Sequence, residues 1–335
     1  MLKRLSLLVL LIAAAVPIFA QTTLTGAGST FVYPMLSKWT SEYHSLKPGV
    51  EINYQSIGSG GGIRQVSEGT VEFGATDGPM TDAQLAASKV GKIFHIPVVM
   101  GADVPAYNIP GVSQELKFTP EVLAGIFLGT INNWSDPKIA KANPGVSLPN
   151  TGILVAHRSD GSGTTYIWTD YLSKISPEWK SKVGTGVSVN WPVGLGGKGN
   201  EGVSGIVRQM PGAIGYVELI YAIQNKIPYG SVQNSSGNFV KASIDSVTAA
   251  ASTAKIPADY RYSITNAPGK DAFPISGTTW LLIPAHSRDA AKGKELLDFV
   301  NWVLTNGQDM EASLDYAKLP SNLVSRLKET LKQVK

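Results

Sequence analysis

One nine-residue segment, HRSDGSGTT at residues 157–165, combines an arginine and a carboxylate with glycines, serines and threonines. Glycine lets the backbone approach a ligand closely, and a serine or threonine adds a hydroxyl at a helix start. The first amides of a helix have no partners within it and face outward, at the positive end of the helix dipole. Such a segment is suited to holding an anion, with Arg158 as the cation.

Three other segments support the same interpretation. LTGAGSTF (24–31) and SIGSGGGIRQ (56–65) each place glycine and a hydroxyl residue between a strand pattern and a helix pattern, and FGATDGP (73–79) ends a strand pattern on Asp77. A single Ser-Gly turn before a helix is usually only a cap. Its recurrence around one arginine indicates that several helix starts face one anion.

Other known chemistries fit the residues less well. GLGGKGN (194–200) lacks the first glycine of a nucleotide loop and has Gly199 where a hydroxyl would hold magnesium. Neither Ser59 nor Ser162 lies in a Gly-x-Ser-x-Gly elbow, so a serine hydrolase would need a base assembled from distant residues. No metal-ligand spacing connects the histidines, which are His44, His95, His157 and His286.

The elements that must position these segments are alternating strands and helices. Such alternation predicts an α/β protein with largely parallel sheets, and the length fits about two domains. Strands are predicted at VEINYQS (50–56), VEFGATD (71–77), IFHIPVVM (93–100), GILVAHR (152–158) and TTWLLIP (278–284).

Helix signals are clearest in two regions. Thr119 is a predicted N-cap and Gly129 a predicted stop for the helix between them. At the C-terminus, one helix is predicted from Ser287 to Gly307, and the next is predicted within residues 321–335, with its apolar face on Leu323, Leu327 and Leu331.

The first twenty residues have the composition of a secretory leader. Lys3 and Arg4 precede an apolar run and a cleavage site before Gln21, and the run is too short to span a membrane comfortably. Those two residues carry half of the net charge of +4, and the remaining +2 is too low to indicate nucleic acid. The absence of cysteine excludes disulfides, thiolate metal sites and a lipid-modified N-terminal cysteine. We therefore expect an exported, periplasmic protein with no cofactor.

Long segments of the chain resemble, in the same order, the periplasmic phosphate-binding proteins of high-affinity phosphate ABC transporters. They cover nearly all of the chain after the leader and read TLTGAGSTF, YQSIGSGGG, FGATD, RSDGSGTT, VGTGVSVNWPVGLGGKGNEG, PGAIGYVE and LDYAKLP. Gly60 stands where that family often has a second serine, and Gly78 where it often has alanine. These departures are expected to change affinity rather than the identity of the ligand.

The resemblance implies a two-lobed periplasmic binding protein of type II. Each lobe would be a mainly parallel sheet flanked by helices, with the ligand in the cleft between them. Lobe one would comprise residues 21–103 and 274–335, lobe two residues 104–273, with crossings near Val104 and Phe273. The protein would act without catalysis, as a monomer, and deliver phosphate to an inner-membrane ABC permease with its ATPase.

The resemblance also implies the ligand contacts. Arg158 would supply the positive charge, Asp160 would orient Arg158 through a salt bridge, and Phe31 would contribute its backbone amide. The full set of implied phosphate contacts is Thr30, Phe31, Ser59, Asp77, Arg158, Ser162, Gly163 and Thr164.

Asp77 carries the argument for specificity. A carboxylate beside an anion is repulsive unless the ligand bears a proton that it can donate, as phosphate does near neutral pH and sulfate does not. Facing sulfate, Asp77 would be a buried acceptor against an acceptor, which costs about 1–3 kcal/mol or more. Two alternatives stay open: a receptor for another oxyanion such as sulfate or molybdate, and a secreted hydrolase using Ser59 or Ser162.

Overall fold

The computed structural model describes residues 21–335, so the leader expected at residues 1–20 lies outside the described part of the chain. It is a mixed α/β structure, which confirms the predicted fold class. The strands are β1 (Thr22–Gly28), β2 (Val50–Ser56), β3 (Phe73–Thr76), β4 (Ile93–Asn108), β5 (Lys117–Phe118), β6 (Leu154–Arg158), β7 (Leu195–Gly197), β8 (Ala213–Glu218), β9 (Ser231–Gln233), β10 (Phe239–Val240) and β11 (Ser276–Pro284).

Along the chain, helices follow most of these strands. They are α1 (Tyr33–Leu46), α2 (Ser59–Glu68), α3 (Asp82–Ala86), α4 (Pro120–Leu128), α5 (Pro137–Ala142), α6 (Gly163–Ile175), α7 (Pro177–Lys182), α8 (Gly199–Gln209), α9 (Leu219–Gln224), α10 (Ile244–Ala251), α11 (Ala290–Val303) and α12 (Ser321–Leu331), with a 3₁₀ helix at Gly307–Leu314.

Eight strands form one continuous sheet in the order β2-β1-β3-β11-β4-β8-β6-β7, and β10-β9-β5 form a small second sheet. We call β2, β1, β3 and β11 the first half of the large sheet, and β8, β6 and β7 the second half. In the first half β1 pairs in parallel with β2 and β3, and in the second half β6 pairs in parallel with β7 and β8. In contrast, β11 is antiparallel to β3, and β4 is antiparallel to both of its neighbours. The central strand β4 thus joins the two halves.

The change of partner along β4 is abrupt. Ala102 is the last residue of β4 that pairs with β11, and Asp103 is the first that pairs with β8. The strand runs eight residues beyond its predicted end at Met100, and nearly all of it is buried. Because a strand buried on both faces needs apolar residues at successive positions, its near-continuous apolar sequence fits this central place.

Amphipathic helices cover the sheet as their periodicity predicts. In α1 the buried side chains include Leu36, Trp39 and Tyr43. In α12 they are Leu323, Leu327 and Leu331, the three residues predicted to share one face. The buried side chains of both helices belong to the same main hydrophobic core.

Caps fix the helix ends. Thr119 accepts a hydrogen bond from the Val122 amide at 3.2 Å, and Gly129 ends α4 with a positive φ of 76°, both as predicted. Helix α11 begins at Ala290 instead of the predicted Ser287. The reason is that the Asp289 carboxylate accepts from the amides of the next turn and so takes the N-cap position.

The parallel strands of the first half end at one edge of the sheet. Gly28 at the end of β1 lies beside Ser56 of β2 and Ala75 of β3. The chain leaves that edge through the glycine-rich and hydroxyl-rich segments identified in the sequence. Sheets of this type bind ligands outside the carboxyl ends of their strands.

Within residues 21–335, no helix combines the length and the apolar composition that a membrane span requires.

Replacing Gly62 by alanine tests how closely α2 must approach this edge. A Cβ on Gly62 would lie 2.6 Å from the Ala27 oxygen and 2.9 Å from the Ala75 oxygen, both of them backbone atoms. Alanine normally stabilises a helix by ~1 kcal/mol over glycine. We expect the collision to outweigh this gain and to lower the free energy of unfolding by about 1–3 kcal/mol in denaturant titrations.

The control is Gly205→Ala in α8, where an added Cβ meets no atom within 4 Å. This variant should be unchanged or more stable by up to ~1 kcal/mol. Equal effects of the two substitutions would show that α2 can move away from the strand ends without cost.

Candidate anion-binding site

The start of helix α6 presents free backbone donors next to a cation. Strand β6 ends at Arg158, and α6 begins five residues later at Gly163. Ser162 is the N-cap, and its hydroxyl accepts from the Thr165 amide at 3.0 Å. The amides of Gly163 and Thr164 precede the first possible intrahelical bond, so they remain available to an anion.

Arg158 is held by Asp160, the ion pair that the sequence led us to expect. The guanidinium donates to the two carboxylate oxygens at 2.8 and 2.5 Å, and only 1% of the Arg158 side chain is exposed. Burial disfavours the charged guanidinium, but the hydrogen bonds and charge of Asp160 outweigh it and raise the pKa of Arg158. The same pair lowers the pKa of Asp160 against the effect of its own burial.

Hydrogen bonds to hydroxyl groups link the remaining guanidinium nitrogen of Arg158 to the loop between β1 and α1. Nη1 donates to the Thr164 hydroxyl at 3.2 Å, and the Asn200 amide donates to that same oxygen at 3.2 Å. The Asn200 amide nitrogen also lies 2.8 Å from the Thr30 hydroxyl, at the start of the segment before α1. Asn200, which the sequence reasoning passed over, therefore links the second half of the molecule to the first.

Asp77 has an environment of hydroxyl donors. Ser29 donates to its carboxylate at 2.6–2.7 Å, Thr279 at 2.6 Å and Ser59 at 3.4 Å. Complete burial raises the pKa of Asp77 to about 6, and these hydrogen bonds together with the charge of Arg158 limit the rise. Near neutral pH this group is therefore an ionised acceptor in a buried position.

Three tyrosines fix the loop between β1 and α1. Tyr54, Tyr221 and Tyr316 donate to three consecutive carbonyl oxygens, those of Ser29 at 2.8 Å, Thr30 at 2.6 Å and Phe31 at 2.5 Å. With these carbonyls bound by the tyrosines, the Ser29 hydroxyl faces Asp77 and the Thr30 hydroxyl faces Asn200. The Phe31 amide donates to the Ser29 hydroxyl at 3.0 Å, next to Asp77.

The two groups of residues touch each other. A Cβ on Gly163 would lie 2.3 Å from Asp77 Oδ2, so only glycine allows the α6 start to reach the carboxylate. The Gly60 amide donates to the Gly161 oxygen at 2.9 Å, and Gly78 packs against the ring of Tyr166. Gly60 and Gly78, the two positions that differ from the family pattern, thus both lie at contacts with residues around the start of α6.

The structure brings all of the sequence-predicted site residues into one buried cluster. They are Thr30, Phe31, Ser59, Asp77, Arg158, Ser162, Gly163 and Thr164, with Asp160 behind Arg158. Sequence reasoning missed Ser29, Thr279 and Asn200. Ser29 and Asn200 stand within the quoted motifs, whereas Thr279 gave no signal beyond its place in a strand. Among residues 21–335, no cluster of histidine and acidic side chains is arranged to hold a metal ion.

The chain is similar to known proteins over most of its length. The model of the PBP superfamily domain matches residues 16–306. The phosphate-binding protein PstS of Xylella fastidiosa (strain Temecula1) is 47% identical over 91% of this chain and 83% of its own length. PstS of Pasteurella multocida (strain Pm70) is 43% identical over 98% and 95%.

A solved structure shows the same fold. It is a high-affinity periplasmic phosphate-binding protein, PfluDING, bound with phosphate, and it matches with a TM-score of 0.75 over 92% of this chain and 93% of its own. The identity is 18%, so this likeness concerns the fold, which is a two-lobed periplasmic binding protein of type II.

The raised pKa of Asp77 predicts how stability depends on pH in the absence of ligand. Ionising a buried carboxyl whose pKa rises from 3.8 to about 6 costs folding free energy. That cost is absent below pH about 4 and complete above pH about 6. We therefore expect Asp77→Asn to gain stability relative to wild type by about 3 kcal/mol as the pH rises across this window.

The measurement is chemical denaturation of both proteins in anion-free buffers at several pH values. A difference in unfolding free energy that does not change with pH would show that Asp77 is not held in the buried, hydroxyl-bonded position described above.

Proposed function

The chain belongs to the PBP superfamily and, within it, to the PstS phosphate-binding proteins, and from this premise we propose that it captures inorganic phosphate in the periplasm for an ABC-type import permease. The observation that carries the proposal is the contact between Asp77 and the start of α6 beside Arg158. A cation and free amides favour an anion, and an ionised acceptor among them favours an anion that bears a proton.

The proposed contacts divide by chemical role. Arg158 supplies the charge, and Asp160 holds its guanidinium in place. Asp77 accepts the proton-bearing oxygen of the phosphate. The remaining donors are hydroxyls and backbone amides, contributed by Thr30, Phe31, Ser59, Ser162, Gly163 and Thr164.

Neutral dipoles carry much of the binding in this proposal. Asp160 compensates the charge of Arg158, and Asp77 adds a negative charge, so the cluster as a whole offers no net positive charge to a dianion. Fixed amides and hydroxyls stabilise the ligand without the reorganisation that water would need. In a closed, low-dielectric site, hydrogen bonds that involve a charge are about twice as strong as neutral ones.

We propose two lobes that close over the ligand, with lobe one at residues 21–103 and 274–335 and lobe two at residues 104–273. The contacts of Asn200 with Thr30, of Gly60 with Gly161 and of Tyr221 with the Thr30 carbonyl all bridge these segments, as expected for a closed arrangement. Residues 1–20 would direct export, and the closed monomer would present both lobes to the permease and its ATPase.

The protein would bind phosphate without catalysis. A serine nucleophile needs a base within hydrogen-bond reach. In the described part of the chain, the Ser162 hydroxyl caps α6, and the Ser59 hydroxyl contacts Asp77 at 3.4 Å. His157 stacks on Trp191, and its ring contacts the Arg158 carbonyl instead of either serine. Release of product from phosphate esters, lost in Ser162→Ala, would favour the hydrolase alternative.

The choice between phosphate and another oxyanion rests on Asp77. We expect calorimetric titrations to show tight phosphate binding and weak sulfate binding for wild type. In Asp77→Asn the amide can donate to sulfate, so the ratio of phosphate to sulfate affinity should fall by at least about tenfold.

The matched control is the same substitution at Asp309, an exposed residue paired with Lys318 outside the cluster. Asp309→Asn should leave the ratio unchanged. Equal affinity of the wild-type protein for phosphate and sulfate would replace the proposal with a general oxyanion receptor.

Loss of the arginine should weaken binding of phosphate severely. Arg158→Ala removes the cation and leaves the Asp160 charge uncompensated beside the ligand, so we expect a loss between about thirtyfold and several thousandfold. Arg158→Lys keeps the charge but not the planar fork that binds Asp160, and it should give an intermediate loss.

Arg288→Ala serves as the control, because Arg288 is exposed and donates to the carbonyls of Gly69 and Glu68 away from the cluster. If Arg158→Ala binds phosphate as tightly as Arg288→Ala does, the ligand lies elsewhere.

A further inference from the structure

Two buried carboxyl groups that the proposed contacts leave unused face each other where β4 joins the second half of the sheet. Asp103 is the first residue of β4 that pairs with β8, and its partner is Glu218. Directly opposed residues of an antiparallel pair place their side chains on one face, with Cβ atoms about 5 Å apart. Gly101 lies two residues before Asp103 and so on the same face of β4. A Cβ added to Gly101 would lie 3.3 Å from Glu218 Oε1, so the Glu218 side chain lies against that face.

Both groups are completely buried, but their hydrogen bonding differs. Within the described part of the chain, neither oxygen of Asp103 has a hydrogen-bond partner, and Glu218 Oε1 has none either. Glu218 Oε2 accepts from the Ile220 amide at 2.9 Å and from the Tyr316 hydroxyl at 3.3 Å. A buried ionised carboxylate without donors is strongly unfavourable. The asymmetry therefore makes Asp103 the member of the pair at which a proton would bind, and Glu218 the acceptor.

The charges around Asp103 act in the same direction. Burial raises its pKa most, and the carboxylates of Asp77 and Glu218 raise it further, whereas only Arg158 opposes them. Burial likewise raises the pKa of Glu218, and the hydrogen bonds from the Ile220 amide and the Tyr316 hydroxyl oppose this rise. The other titratable groups that act on the pair are Tyr216, Tyr221, Tyr316 and Asp315.

We propose that Asp103 is a proton-binding site coupled to the ligand, which takes up one proton from solvent when the anion binds and donates it as a hydrogen bond to Glu218. The inference rests on the proposed function. An arriving phosphate adds negative charge beside Asp77 and Asp103, and Arg158 is already paired with Asp160. A proton on Asp103 removes one of the repelling charges, and by linkage the protonated form binds the anion more tightly.

The sign of the pH dependence follows from this coupling. Because the ligand favours protonated Asp103, the tightening is complete at low pH and is lost as the pH rises through the pKa of the bound state. Phosphate also titrates, but equally for every variant. The ratio of the wild-type Kd to the Asp103→Asn Kd therefore isolates Asp103, and it should rise with pH by at most about tenfold per unit.

The test measures phosphate affinity from pH about 5 to 9 for wild type, Asp103→Asn and Glu311→Gln. Glu311 is the matched control: it is fully buried, its Oε2 has no partner within residues 21–335, and it lies in the 3₁₀ helix outside the cluster. We expect the ratio of the wild-type Kd to the Asp103→Asn Kd to rise with pH and the ratio of the wild-type Kd to the Glu311→Gln Kd to stay constant. Parallel profiles for wild type and Asp103→Asn would overturn the inference.

Calorimetry in buffers of different ionisation enthalpy counts the protons directly. Asp103→Asn should take up fewer protons per phosphate than wild type, by up to one, and Glu311→Gln should match wild type. Phosphate binding with equal proton uptake in wild type and Asp103→Asn would refute the coupling and leave the proposed function standing. Failure of the wild-type protein to bind phosphate would refute the proposed function itself.

Infrared spectroscopy of the wild-type protein provides a test that does not require the variant to fold. Adding phosphate should increase the carbonyl band of a protonated carboxyl group, and labelling aspartate with ¹³C should shift that band. A phosphate-induced difference spectrum with no such gain, or with a band unaffected by the label, would show that Asp103 does not take up the proton.

Discussion

The arrangement of the molecule depends on how charge is compensated in a site that water does not reach. Removing an ion from water is costly, and the gain from an opposite charge repays this only when hydrogen bonds satisfy the remaining donors and acceptors. Here the guanidinium of Arg158 is bound on two nitrogens by Asp160 and on the third by Thr164. It therefore serves as a fixed charge that Asp160 already compensates, and much of any further negative charge must be stabilised by dipoles.

The fold supplies those dipoles at defined positions. Parallel strands end together at the carboxyl edge of each half of the sheet, and the helices that follow them begin with unbonded amides. Glycines at 62 and 163 permit approaches that any side chain would block, and tyrosine hydroxyls bind the carbonyls of residues 29–31. Preorganisation of this kind explains how a site with one compensated cation can be selective for an anion.

The sequence predicted those parts of the site whose chemistry is local. Arg158, Asp160 and the cap hydroxyl of Ser162 lie within five residues, so their relation followed from a strand end and a helix start. Asn200 and Thr279 could not be predicted in the same way, because their partners lie 170 and 202 residues away in the chain.

The fold was predictable to a similar degree. Periodicity gave the alternating elements and the buried face of α12, but it did not show that β4 continues past Met100 to join the two halves. The start of α11 was misplaced because its cap is the Asp289 side chain, whereas the Ser287 hydroxyl donates to the Asp289 carbonyl.

Three carboxyl groups near Arg158 show how identical chemistry acquires different roles. Asp160 has a cation and the Gly199 amide as partners, so it remains ionised and its pKa falls. Asp77 has hydroxyl donors, which keep it an acceptor near neutral pH although it is buried. Asp103 has no donor within the described residues, so burial is uncompensated and raises its pKa. Because the three groups differ in the donors around them and not in residue type, selectivity for a proton-bearing anion and coupling to solvent protons can be altered separately in this site.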